Sequence, residues 1–190
     1  MKKYTIGLIT GALLAISAMM FIGAQNKNLG DITVTSVSVV NDDGYEVGRL
    51  ESYQDTGFLR LSRAGKTAEI MLVVEDVGGA ISTYNKDGKR TAFLGTDVEG
   101  GGTISTYKKD GKQTVGLGNG VSGGGSIITS NADGKKTAYL GTSEGGFGFL
   151  STYNKHEVMT GYFGTNTDND GMAVLSDRYG DIGWAVDGKK

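Results

Sequence analysis

The chain has no cysteine, no proline and a single histidine, and its net charge is only −2 over 190 residues. Lack of cysteine removes disulfides, thiolate metal sites and thiol nucleophiles together, although it does not assign a redox compartment, because exported proteins also lack cysteine. Lack of proline leaves every backbone N–H free to join a ladder, as a sheet requires. With His156 alone, any serine–histidine pair or histidine-based metal site has to depend on that one residue. The small net charge gives no reason to expect a nucleic-acid partner. Glycine is what the chain has in excess, 33 residues without the every-third spacing that collagen needs.

From Gly78 to Thr165 the sequence repeats every 23 residues, as Ile81, Ile104 and Ile127 illustrate. One copy reads Gly79-Ala80-Ile81-Ser82-Thr83-Tyr84-Asn85-Lys86-Asp87-Gly88-Lys89-Arg90-Thr91-Ala92-Phe93-Leu94-Gly95-Thr96, and the next keeps Ile104-Ser105-Thr106-Tyr107, Asp110-Gly111-Lys112 and Leu117-Gly118. A third holds Asp133-Gly134-Lys135 and Tyr139-Leu140-Gly141-Thr142; a fourth holds Leu150-Ser151-Thr152-Tyr153 and Phe163-Gly164-Thr165. A short unit copied several times points to a stack in which each copy is stable only against its neighbours.

Each unit carries two stretches rich in β-branched and aromatic residues, separated by Asp-Gly. That dipeptide favours a tight turn, because glycine takes positive φ without a Cβ clash. With Asp87 and Gly88 as the turn, Tyr84 faces Thr91, Thr83 faces Ala92, Ser82 faces Phe93 and Ile81 faces Leu94. Ile81, Thr83, Ala92 and Leu94 then share one face, and Ser82, Tyr84, Thr91 and Phe93 the other. The same pairing joins Ile104 with Leu117, Ile127 with Leu140 and Leu150 with Phe163. The expected fold is all-β, an antiparallel meander of hairpin repeats behind an N-terminal hydrophobic helix. A β-solenoid with Asp-Gly at its corners would give the same period and remains the alternative. A single-layer sheet would leave its aliphatic face wet, so a cover is expected from residues 30–77 or from another chain.

Four regions follow. Residues 1–25 place Lys2 and Lys3 before an uncharged apolar run from Thr5 to Ala24, which reads as a signal peptide or membrane anchor and implies export. Residues 26–77 are an irregular β region with a decayed repeat at Gly57–Gly79, residues 78–165 hold the four repeats, and 166–190 form a degenerate capping hairpin.

Chemistry is sparse. Gly118-Asn119-Gly120-Val121-Ser122-Gly123 fits the dinucleotide-binding glycine pattern but leads into strand-like residues and not a helix. Gly141-Thr142-Ser143-Glu144-Gly145 matches the nucleophile-elbow pattern in the same inter-strand connection. His156 falls where the other copies have their turn, so an exposed turn residue outweighs a general base. Asn166, Asp168, Asp170 and, beyond Gly171, Asp177 offer oxygen ligands in the alternating pattern of a calcium loop. Tyr84, Tyr107 and Tyr153 recur on the face opposite the aliphatic one, where they would stack on the sugar rings of an envelope polysaccharide or simply pack against neighbouring strands. Lysines gather at the Asp-Gly turns, and Asp97, Glu99, Glu144, Asp168 and Asp170 at the opposite connections. Turns alternating between edges would give one basic and one acidic edge.

The pattern Tyr-Asn-Lys-Asp-Gly-Lys-x-Thr-Ala-x-Leu-Gly-Thr at Tyr84–Thr96 resembles repeats of exported bacterial proteins and of fibre or adhesin-like chains. The resemblance covers 78–165 and more loosely extends to 186; it is specific as a pattern and not as a function, and it transfers no catalytic residues. The fourth copy departs from it with His156-Glu157-Val158 in place of Asp-Gly-Lys. The expectation is an exported, non-catalytic structural or adhesive protein of the cell envelope, prone to self-association, with glycan binding as the alternative and an envelope hydrolase as a remote third.

Overall fold

The structure, a computed structural model, describes residues 4, 10, 11, 13–17, 33–67, 69–120 and 123–189. The chain divides into two compact units, Met1–Thr35 and Ser36–Lys190. In the first, Tyr4, Thr10, Gly11 and residues 13–17 are helical, and the rest of the expected export segment lies outside the described residues. Among the described residues no helix is long and apolar enough to cross a membrane.

The second unit is one antiparallel sheet of fourteen strands in sequence order. They are β1 (Ser36–Val40), β2 (Glu46–Tyr53), β3 (Thr56–Leu61), β4 (Ile70–Glu75), β5 (Gly78–Tyr84), β6 (Arg90–Thr96), β7 (Gly102–Tyr107), β8 (Gln113–Asn119), β9 (Gly125–Ser130), β10 (Lys136–Thr142), β11 (Gly148–Tyr153), β12 (Met159–Thr165), β13 (Gly171–Ser176) and β14 (Ile182–Asp187). Every strand from β2 to β13 pairs with the strand before and after it, β1 and β14 form the two free edges, and the sheet does not close into a barrel. The hairpin meander is therefore the fold, and the solenoid alternative is excluded.

The turns differ from the two-residue form expected of Asp-Gly. Gly88 N–H donates to the Asn85 carbonyl and Asn85 N–H to the Lys89 carbonyl, each at 2.9 Å. The loop is therefore Lys86-Asp87-Gly88, a type I turn completed by Gly88 at φ 73°. Tyr84 consequently faces Arg90 and not Thr91. One residue later Thr91 bulges out of the pairing, so Thr83 faces Ala92 and Ile81 faces Leu94 after all. The longer loop and the bulge compensate, which is why Asp-Gly counting finds the right core register. Thr91 turns its hydroxyl to Thr83 at 2.8 Å, and Thr114–Thr106 and Thr137–Thr129 repeat the contact at 2.9 Å.

In the fourth copy the same turn survives without glycine: Glu157 N–H donates to Asn154 O at 3.0 Å, and Glu157 itself takes φ 64°.

The two faces are unlike. On one, the small side chains of Ala80, Ser82, Ser105 and Ser151 are buried, beside aromatic rings on their own and neighbouring strands. Phe93 reaches over Gly95 and Tyr139 over Gly141, where an added Cβ would lie 2.6 and 2.7 Å from the ring atoms. Tyr139, Phe149 and Tyr162 stack across three strands, with centroids 5.1 and 5.7 Å apart. This face makes its own cover.

The other face does not. Cross-strand pairing aligns Val37, Leu50, Leu59, Leu72, Ile81, Leu94, Ile104, Leu117, Ile127, Leu140, Leu150, Phe163, Ala173 and Val186 in one unbroken row. Twelve of its members are 37–69 % exposed. The expectation that residues 30–77 would fold over this row is corrected: residues 36–75 supply β1–β4 of the same layer. The reason is local. Glu75 pairs with Gly78 across a two-residue connection, which leaves β4 no route except alongside β5.

Candidate functional site

Three tyrosines of the aromatic face were the expected ligand platform. Tyr84, Tyr107 and Tyr153 occupy equivalent ends of β5, β7 and β11, and each is half-buried. The Arg90 guanidinium, 4.9 Å from the Phe93 ring centroid, is drawn down by burial. The hydroxyls of Tyr84 and Tyr107 outweigh that and hold it above its ordinary range. Tyr153 lies under the Lys136 ammonium at 4.2 Å, and its hydroxyl is 3.1 Å from Ser151 Oγ. These rings are tied into the sheet by cations and hydroxyls of neighbouring strands, which stabilises the layer itself.

The oxygen-rich loop splits between two edges. Asn166, Asp168 and Asp170 sit in the β12–β13 turn, and Asp177 in the β13–β14 turn at the far end of β13. Asn166 Oδ1 accepts from Asp168 N–H at 3.0 Å and Asp170 N–H at 2.9 Å. Asp177 Oδ1 accepts from Tyr179 N–H at 2.8 Å and Asp181 N–H at 3.1 Å. Lys189 Nζ donates to Asp168 at 2.5 Å and lies 3.9 Å from Asp170. The four residues do not converge, and no cluster of three or more Asp, Glu or His side chains arranged to hold a metal occurs among the described residues.

The same hydrogen-bonding pattern recurs, which the sequence reading missed. Asn41, Asn85, Asp97, Asn131, Asn154, Asn166 and Asp177 each accept from N–H groups two and four residues on. Each stands three residues before the residue at positive φ. The signal was Asn or Asp three residues before glycine in five of the seven turns, with Glu157 and Asn169 in glycine's place in the other two, an Asx turn placed ahead of the left-handed position.

The remaining motifs are also turns. Ser143 Oγ accepts from Phe147 N–H at 3.1 Å inside the β10–β11 hairpin, so it lies on a strand-to-strand turn and not on a strand-to-helix elbow. The glycine pattern from Gly118 spans the β8–β9 turn and enters a strand; Val121 and Ser122 lie outside the described residues. His156 is exposed in the β11–β12 turn, its N–H donated to Asn154 Oδ1 at 2.8 Å.

Two features extend over many strands. The meander sends alternate turns to opposite edges, so Lys86, Lys89, Lys108, Lys109, Lys112, Lys135 and Lys155 line one edge, interspersed in the repeats with Asp87, Asp110, Asp133 and Glu157. Asp55, Asp76, Asp97, Glu99, Glu144, Asp168 and Asp170 line the other. On the apolar face, Gly57, Gly79, Gly102, Gly125, Gly148 and Gly171 each stand two residues before a member of the aliphatic row, on the acidic side of it. An added Cβ at any of these six would meet nothing within 4 Å. On the alternate strands Ser52, Val74, Thr96, Asn119, Thr142 and Thr165 pair with these glycines, so the trough beside the ridge is a line of glycine pits separated by mostly small side chains, with depressions of about 750 Å³ between Leu117 and Gly171 and about 500 Å³ between Leu50 and Gly95. Compared with protein-family models and with curated proteins, the chain matches none.

Proposed function

We propose that this chain is an exported, non-catalytic β-repeat protein serving as a structural or adhesive element of the cell envelope. The observation that carries the reading is the placement of the same side chains at the same register positions along one sheet. Ser82, Ser105 and Ser151 are buried at one position of the first, second and fourth copies, and Asn85, Asn131 and Asn154 cap the turns of the first, third and fourth. Such a surface presents one contact many times, and repeated weak contacts add through effective concentration. The basic N-terminal residues and the apolar run behind them supply the expectation of export.

Removing one whole unit, residues 102–124, tests this. The shortened sheet should refold in register, because Gly101 would be followed by Gly125 and the pairing phase is kept. Retention of cells or envelope fragments on a coated surface should fall by degrees with copy number. Complete loss from one missing unit, or recovery of the intact protein in the soluble cytosolic fraction, contradicts the proposal.

A further inference from the structure

We propose that the open apolar face is closed by a second copy of this chain. The two sheets pack face to face about a two-fold axis running across the strands, parallel to the aliphatic row. Each ridge then lies in the glycine trough of its partner, and each basic edge lies over the partner's acidic edge. The inference stands apart from the envelope reading, since it rests only on the surface of the folded sheet.

Three observations select this occupant. The first is shape. A ridge and a trough lie side by side, one two-residue step or roughly 6.6 Å apart, and a two-fold axis midway between them exchanges the two. A patch that is its own complement is what an isologous interface requires. The bare glycines at 102, 125 and 148, each opposite the short side chain of Thr96, Asn119 or Thr142, leave pits for the partner's side chains at the ordinary inter-sheet spacing of about 10 Å.

The second is charge. Two in-plane axes could bring the apolar faces together. An axis along the strands would stack lysines on lysines. The axis across them sets Lys86, Lys108 and Lys109 of one copy near Asp97 and Glu99 of the other. Lys135 likewise falls near Glu144. Asp87 and Asp110 already pair with Lys86 and Lys108 at 3.1 and 3.2 Å, but Lys89, Lys109, Lys112 and Lys135 leave these turns with an excess of positive charge, so like charges penalise the first arrangement and opposite charges favour the second.

The third is size. Thirteen inter-strand steps of ~4.8 Å and strands of ~20 Å give a face of about 1,200 Å². A stable interface takes about 800 Å² per partner. The apolar row is also far beyond what soluble monomers leave exposed.

The test uses the full 190-residue chain. Its solution mass should be twice 19.9 kDa. In the variant Gly102→Val, Gly125→Val, Gly148→Val the new side chains enter open space in the single sheet but fill the trough. It should therefore keep the strand signature in circular dichroism and fall to the monomer mass. A triple variant that folds and stays dimeric overturns the proposal, as does a wild-type chain that is monomeric or trimeric. Association driven by the N-terminal apolar run would survive the three substitutions and so counts against it.

Because the chain has no cysteine of its own, single cysteines report the axis. Lys109→Cys chains mixed with Glu99→Cys chains should be joined by a bismaleimide of about 10 Å reach, while Lys109→Cys chains alone should not. Efficient coupling of Lys109→Cys chains to one another means the other axis and overturns the arrangement. This second readout keeps its meaning if the valine variant fails to fold.

Discussion

Glu157 is the residue at which the repeat departs most from its own rule, holding φ 64° where its counterparts Gly88, Gly111 and Gly134 hold 73°, 91° and 84°. A Cβ in that region costs roughly 1–2 kcal/mol, and the Asn154 side chain together with the closing Asn154–Val158 bond holds the turn regardless. Glu157→Gly should accordingly raise stability by about 1 kcal/mol, read as a higher melting temperature. A lower one would mean that the contact from Lys136 N–H to Glu157 Oε1 at 3.3 Å outweighs the relief of strain. The turn's position was nearly readable in the sequence, since Gly88 marks the left-handed residue. The loop's length was not, because the Asp-Gly pair suits a two-residue turn equally well and only the bulge at Thr91 reveals the difference.

At the scale of the strand, stability on the aromatic face comes from rings laid flat over small residues. Phe149 is the centre of a three-ring stack, between Tyr139 and Tyr162. Truncating it removes both stacking partners and uncovers the backbone near Gly164, whose added Cβ would lie 2.5 Å from Phe149 Cβ. Phe149→Ala should cost about 2 kcal/mol, less than the ~3–5 kcal/mol of a fully buried ring because Phe149 is half-exposed. Equilibrium denaturation would measure it, and a change below about 0.5 kcal/mol would show that the stack is incidental. The alternation of Ser and Tyr against Ile and Thr made both faces legible in advance. Which rings would meet was not legible, since Phe93 finds Arg90 while its counterpart Tyr139 finds Phe149.

At the scale of the molecule, every strand touches only its two neighbours in sequence, and none contacts a strand further along. The sheet is therefore quasi-one-dimensional, and the cost of opening rises with distance from its ends. Amide exchange should be slowest in β7 and β8 and quicken stepwise towards β1 and β14, and a flat protection profile would rule out this picture. The prediction holds whether the sheet is single or paired, since a partner lying across the face adds contacts along the whole row.

The sequence by itself determined the all-β class and, once the strand order had decided for hairpins over a solenoid, the inner register and the lysine-rich turns of one edge. Each follows from local alternation and a fixed period, and both are properties of neighbouring residues. Tertiary structure alone decided that Val37, Leu50, Leu59 and Leu72 extend the same row as Ile81. β1 and β2 carry no recognisable repeat and β3 and β4 only a decayed one, so hydrogen bonding, not similarity, sets their register. It also separated Asp177 from Asn166, because a six-residue strand carries consecutive loops to opposite edges of the sheet. Proximity along the chain gave them the look of one site, and the direction of β13 took it apart.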